Sequence, residues 1–254
     1  MKTLVISGAT DGMGKALART YLDRGDTVVT IGRNPEKALA GAHFVHADLS
    51  LVSETEKAID QIRAAHPAID ALVLCARHFR TARLETSEGF ESTFALEYLS
   101  RYLLGHGLLE SLERSPDPLI INVSGPGAHK PEIQWKDPNS VRNYSGVTAQ
   151  MHAGRANDLL GMFFTAPRTK YVLLHPGLVA TGFSGTYDAE TAAHIEAMKK
   201  AGRPVAEGIA PITTLLDDPP ADRLSAYMRD KRIPLPREKA AERLRTLTEQ
   251  LLAG

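Results

Sequence analysis

Cysteine is nearly absent: a single residue, Cys75, stands in 254. That excludes an intrachain disulfide and a zinc site built on several thiolates, and it points to a reducing, cytoplasmic setting. Net charge is missing as well. Thirty Lys and Arg balance thirty Asp and Glu, so no overall field draws the chain to nucleic acid or to an anionic membrane surface, and neither is an expected partner. Long apolar runs are missing too. No stretch approaches the ~18 residues of a membrane span, and Leu4–Ile6 is too short for the core of an export signal, so the chain is expected to be neither embedded nor exported. The nine histidines contain no His-x-x-x-His or Glu-x-x-His pair, and no metal site is expected.

What is present is a globular composition, 43% hydrophobic and 24% charged, arranged as short Val/Ile/Leu runs alternating with segments of helical period. Strands are expected at Thr3–Ser7, Thr27–Ile31, His43–Ala47, Ala71–Cys75, Leu119–Val123 and Tyr171–His175, with a weaker seventh at Leu224–Met228. Helices are expected at Lys15–Arg24, Ser53–Ala65, Ser87–Leu112, Arg155–Phe164, Ala206–Leu216 and Arg237–Leu252. Strands that are apolar throughout belong to a sheet covered on both faces. The expected fold is therefore a single α/β domain over 1–254, a Rossmann-type doubly wound sandwich with a mostly parallel seven-stranded sheet and helices on both faces. The segment 182–202, FSGTYDAETAAHIEAMKKAG after Gly182, is read as a substrate loop or lid, or else as a mobile surface segment.

The first strand runs directly into SGATDGMGK. Gly8, Gly12 and Gly14, with Thr10, Asp11 and Met13 between them, form a turn between strand and helix. Such a turn lets the backbone approach a pyrophosphate and sets that charge against the free N–H groups of the helix start. After the second strand comes IGRNPEK. An acidic side chain at this point would favour NAD(H), whereas Arg33 matches the 2′-phosphate of NADP(H), which is the expected cofactor.

These features, together with HADLS around Asp48, ALVLCAR, GFESTFALEYLSRYLL, INVSG and HPGLVAT, resemble the short-chain dehydrogenase/reductase family over almost the whole chain. The tail, LSAYMRDKRI followed by a helix, resembles the retinol-dehydrogenase-type members. The resemblance implies adenine contacts from Asp48 and Leu49, and cofactor contacts from the strand end Cys75, Ala76 and Arg77. It implies nicotinamide contacts from Pro176, Gly177, Val179 and Thr181, a small organic substrate, and homodimers formed through the long central helix. That helix, containing Tyr98 to Leu112, carries the apolar stripe YLLGHGLLESL, which suits either core or interface.

The family's Ser, Tyr, Lys and Asn catalytic set is where the resemblance fails. Gly125 takes the serine position, and Ser124, one residue early, is expected on the opposite side by strand alternation. QMHAGRANDLLG aligns Met151 with the Tyr and Arg155 with the Lys; a slip of one residue brings Gln150 and Gly154 there instead. Glu97 stands at the Asn position. Arg155 can still hold ribose hydroxyls, but a guanidinium is a poor proton donor near neutrality. Candidate substitutes are His152, Tyr144, His78 and Glu97, the last also suited to an ion pair with Arg77 or Arg155. Cys75 reads as a packed, inert thiol. The expected activity is an NADP(H)-dependent oxidoreductase with an atypical proton-transfer set. The alternatives are a cyclase, isomerase or dehydratase on the same fold, and an inactive NADP(H)- or metabolite-binding protein.

Overall fold

The computed structural model describes residues 1–128, 132–235 and 238–253. Its central sheet contains β1 (Thr3–Ser7), β2 (Thr27–Gly32), β3 (His43–His46), β4 (Ala71–Leu74), β6 (Leu119–Val123), β7 (Lys170–His175), β9 (Leu224–Met228) and β10 (Lys231–Ile233). The order across the sheet is β10-β9-β7-β6-β4-β1-β2-β3, parallel except for the β9–β10 pair. The sheet thus has eight strands where seven were expected. The additional β10 is a short antiparallel edge strand with two exposed basic residues, turned back through Arg229 at φ 60. With one face and one edge in water it has no apolar pattern to announce it.

Each strand sends alternate residues to opposite faces. Leu4 and Ile6 pack with Leu17 and Tyr21 of α1 (Gly12–Asp23) and with Ile209 and Ile212 of α8 (Val205–Asp217). Val5, between them, packs on the other face, which is covered by α2 (Val52–Ala65), α4 (Ser100–Gly107), α6 (Gly146–Phe163) and α9 (Ala240–Ala253). Both layers of the doubly wound sandwich are therefore filled. β1 pairs with β2 on one side and β4 on the other. That reversal of strand order opens a crevice beyond the strand ends, where ligands enter open α/β sheets.

Helix bounds differ from expectation at informative places. α1 begins at Gly12, three residues before Lys15, because the glycine turn is itself the helix start, with the Asp11 carboxylate accepting from the Gly12 N–H. α6 begins at Gly146, capped by Ser145, rather than at Arg155. Its first turns bury Gly146, Ala149 and Ala153, side chains too small to give a strong hydrophobic signal.

The expected helix Ser87–Leu112 is instead built in pieces. α3 (Ser92–Phe94) is capped by the Glu91 carboxylate, a π-helical turn spans Ala95–Leu99, and α4 is followed after a break by α5 (Leu109–Glu113). The wide turn is held by side chains: the Ser100 hydroxyl donates to Leu96 O and the Asn157 amide donates to Glu97 O. Such a bulge re-aims the residues it contains. The apolar stripe is spent in the core: Tyr98, Leu99, Leu104, Leu108 and Leu112 are buried, and Tyr102 and Leu103 half-buried. α9 begins at Ala240, and the expected start, Arg237, lies outside the described residues.

Candidate active site

The crevice is a cavity of about 750 Å³ beyond the carboxyl ends of the strands. Its floor is the β1–α1 turn. Gly8 has φ 70, and a Cβ there would lie 2.7 Å from the Ala76 backbone; a Cβ on Gly14 would meet Gly8 O at 2.5 Å. Neither position accepts a side chain. The backbone is thus free to approach a bound phosphate, and Thr10, Asp11, Gly12 and Met13 join it in the lining. This cradle fits a dinucleotide pyrophosphate at the start of a long helix.

At the β2 end, Arg33 lines the cavity with its guanidinium 3.6 Å from the Asp48 carboxylate, both partly exposed. Asp48 is fixed by the N–H and hydroxyl of Ser50, and Leu49 completes this wall. From the end of β4 come Cys75, Ala76 and Arg77. Burial pushes the Cys75 thiol up to about 12, so it is an inert packing group. The β7 end supplies Pro176, Gly177, Val179 and Thr181, with Arg203 donating to Pro176 O at 2.7 Å. Every expected cofactor residue except Arg155 therefore faces one cavity.

Arg155 instead makes a two-pronged ion pair with Glu238, anchoring the segment before α9. On α6 the cavity face consists of Val147, Gln150, Met151, Gly154 and Asn157. Both residues of the slipped alignment, Gln150 and Gly154, line the cavity, as does Met151 of the first alignment, whereas Arg155 does not. His152 turns the other way. It is 1% exposed and stacks on Phe94 at 5.2 Å, and burial lowers its pKa to about 4. Tyr144 is absent from the cavity wall and donates its hydroxyl to Arg80 O.

Ser124, expected on the opposite side, lines the cavity beside Gly125. β6 ends at Val123, so strand alternation no longer governs it. Glu97 also faces the cavity. Its Oε1 accepts from the His78 N–H at 3.2 Å and from the Gln150 amide, while Oε2 lies 3.9 Å from Arg77 Nε. Its ion-pair partner is thus Arg77 at long range, not Arg155. Burial raises the Glu97 pKa, opposed by Arg77 and Arg101.

Arg101 was not anticipated. It is 3% exposed, donates to Asn122, to Val123 O at 2.8 Å and to Ala76 O at 3.0 Å, and so ties the ends of β4 and β6 together. Its place four residues after Glu97 was the available signal. Segment 182–202 forms a further wall. β5 (Phe79–Arg80) pairs in parallel with β8 (Gly185–Thr186), and Tyr187 together with His194, Ile195 and Met198 of α7 (Ala189–Ala201) faces the cavity. Among the described residues no group of three or more His, Cys, Asp or Glu is placed to hold a metal, and no helix is long and apolar enough to cross a membrane.

The model of the short chain dehydrogenase family matches residues 2–137, just over half of the chain and all of the turn just described. The chain belongs to the short-chain dehydrogenase family. It is 29% identical over 196 residues to an oxidoreductase of Emericella nidulans, covering 70% of this chain and 59% of that one. It is 27% identical over 201 residues to human retinol dehydrogenase 13, covering 71% and 60%. This short-chain dehydrogenase thus matches about three fifths of the length of those relatives. Its fold is shared with the 3-alpha-hydroxysteroid dehydrogenase of a Pseudomonas species solved with NADH, at a TM-score of 0.73 and 22% identity, covering 89% and 94% of the two chains.

Proposed function

We propose that this short-chain dehydrogenase is an NADP(H)-dependent oxidoreductase acting on a small organic carbonyl or alcohol, in the cytoplasm, as one dinucleotide-binding domain with 182–202 as its lid. The observation that carries the reading is the continuity of the cavity, which runs from the glycine turn and Arg33 to Glu97, Ser124 and Gln150. The cofactor supplies hydride chemistry when bound.

The chain's own groups do the rest. The N–H groups of the turn and of the α1 start hold the pyrophosphate. Arg33 pairs with the 2′-phosphate, and Asp48 with Leu49 borders the adenine. Pro176, Gly177, Val179 and Thr181 border the nicotinamide end. Ser124 donates its hydroxyl to the substrate oxygen, while the wall of Leu96, Met151, Tyr187, Ile195 and Met198 selects an apolar body and excludes water. Titration of NADPH and NADH into wild type and Arg33→Ala tests the cofactor assignment. The variant should weaken NADPH by about 10-fold or more and leave NADH within about 2-fold.

A second reading is favoured by one observation: Gln150 and Gly154 face the cavity where the family resemblance implies a phenol and an ammonium. A non-redox lyase or isomerase, or a binding protein, needs neither. A product isobaric with its substrate, or lighter by one water, formed without cofactor turnover, would support the non-redox enzyme. Tight NADPH binding without turnover would support the binding protein.

A further inference from the structure

We infer that Glu97 is the proton-bearing group of this cavity, held in place by Gln150 and Arg77 as positioning residues; the inference rests on the oxidoreductase reading above. The geometry around the carboxyl is asymmetric. Oε1 takes two donors, the His78 N–H and the Gln150 amide, whereas among the described residues Oε2 meets Arg77 Nε alone, at 3.9 Å and beyond hydrogen-bond reach. Burial favours the neutral form against Arg77, Arg101 and the two donors; in that form Oε1 is the accepting, carbonyl-type oxygen and Oε2 the hydroxyl oxygen that holds a transferable proton.

The frame is rigid. Arg77 Nε donates to Gln150 Oε1 at 2.7 Å, which fixes the amide so that its NH₂ points at Glu97. The π-helical turn holds Glu97 itself, with Asn157 bonded to its carbonyl. A side chain 6% exposed yet lining the cavity is desolvated in the direction that favours the protonated form.

The other groups at this end are poorer donors. Cys75 is buried with its thiol pushed up to about 12. A guanidinium, as on Arg77 and Arg101, is a poor proton donor near neutrality. The Tyr187 hydroxyl is committed to Phe183 O within segment 182–202, and the His78 ring sits 3.3 Å from the Thr186 hydroxyl of the same segment. His175 Nδ1 accepts from the Gly177 N–H.

In the reducing direction the carbonyl carbon gains the hydride, and the C=O π pair moves to oxygen. That oxygen takes the proton from Glu97 Oε2, leaving a carboxylate that is reprotonated from solvent. One carbonyl, one reduced nicotinamide and one proton give one alcohol and one oxidised nicotinamide. The charged and titratable groups facing Glu97 are Arg77 and His78 from the segment after β4, Arg101 from α4 and Tyr144 from the segment before α6. α6 itself contributes only the neutral Gln150 and Asn157. Reduction should therefore fall as pH rises through the Glu97 pKa.

The test compares wild type, Glu97→Gln, Glu97→Asp and His78→Asn. Independent of turnover, the protonated-carboxyl infrared band should be present in wild type and absent from Glu97→Gln. Raising the pH should tighten oxidised relative to reduced cofactor in wild type, because a carboxylate favours the cationic nicotinamide, and this dependence should vanish in Glu97→Gln. With NADPH and phenanthrenequinone as probe, kcat should drop about 100-fold or more in Glu97→Gln. The alkaline limb should disappear there, persist in His78→Asn and return in part in Glu97→Asp. Wild type that binds no cofactor, or binds it without hydride transfer to the probe, overturns the oxidoreductase reading and this inference with it. Wild type that turns over while Glu97→Gln keeps kcat within about 3-fold, with the same limb, overturns the role of Glu97 alone.

Discussion

His152 is a core residue, and acid should reveal it. Its ring stacks on Phe94, its Nε2 has no hydrogen-bond partner among the described residues, and burial lowers its pKa from 6.5 to about 4. The folded state therefore holds this imidazole neutral, while the unfolded chain takes up a proton below pH ~6.5. Stability from this group is intact above that pH and is lost as pH falls toward the folded value. Integrating the linkage between about pH 7.5 and about pH 5 with those two values gives a loss of about 2 kcal/mol.

His66, His78 and His106 are also lowered by burial and shift stability the same way, so the measurement is a difference. Urea unfolding of wild type and His152→Leu at both pH values should show wild type losing about 2 kcal/mol more than the variant on acidification. Cofactor affinity at neutral pH should be the same in both. Equal acid sensitivity, or a variant that folds normally but no longer binds NADPH, would refute the placement of His152 in the core.

Four other substitutions probe the frame. Gly8→Ala should destabilise by about 2–5 kcal/mol, from a left-handed backbone plus a clash with Ala76, and Gly12→Ala by less, since its Cβ would meet only the Thr181 side chain at 3.2 Å; chemical denaturation ranks the two. Arg101→Met, which removes the buried donor to Asn122 Oδ1, Val123 O and Ala76 O, should cost about 2–4 kcal/mol in urea unfolding. Arg155→Ala should lower stability by about 1–3 kcal/mol through loss of the Glu238 pair while leaving NADPH affinity within about 2-fold by fluorescence titration.

The strands were legible because buried parallel strands are apolar from end to end; β1, β6 and β9 have the bounds read from their residues. β10 was hidden by its exposed Lys231 and Arg232, which carry no burial pattern. The glycine turn was legible because its function demands small residues at fixed places. The end of the cavity around Glu97 and Ser124 was less so. Strand alternation turns Ser124 away, but Ser124 lies just past the end of β6 and lines the cavity, and the alignment that brings Arg155 there admits two registers while the fold pairs Arg155 with Glu238. Val147, Gln150, Met151 and Gly154 recur at the spacing of one helix face, and that face lines the cavity. Arg101 is a buried charge, and its three acceptors come from chain segments that only the folded sheet brings together.

Hydride transfer is the decisive step. NADPH deuterated at the transferable position, incubated with the wild-type chain and a panel of apolar carbonyls, can be followed by mass spectrometry of the products. Deuterium on the former carbonyl carbon, in step with formation of oxidised cofactor, is the expected result. A product that carries no deuterium while bound NADPH stays unconsumed would contradict it.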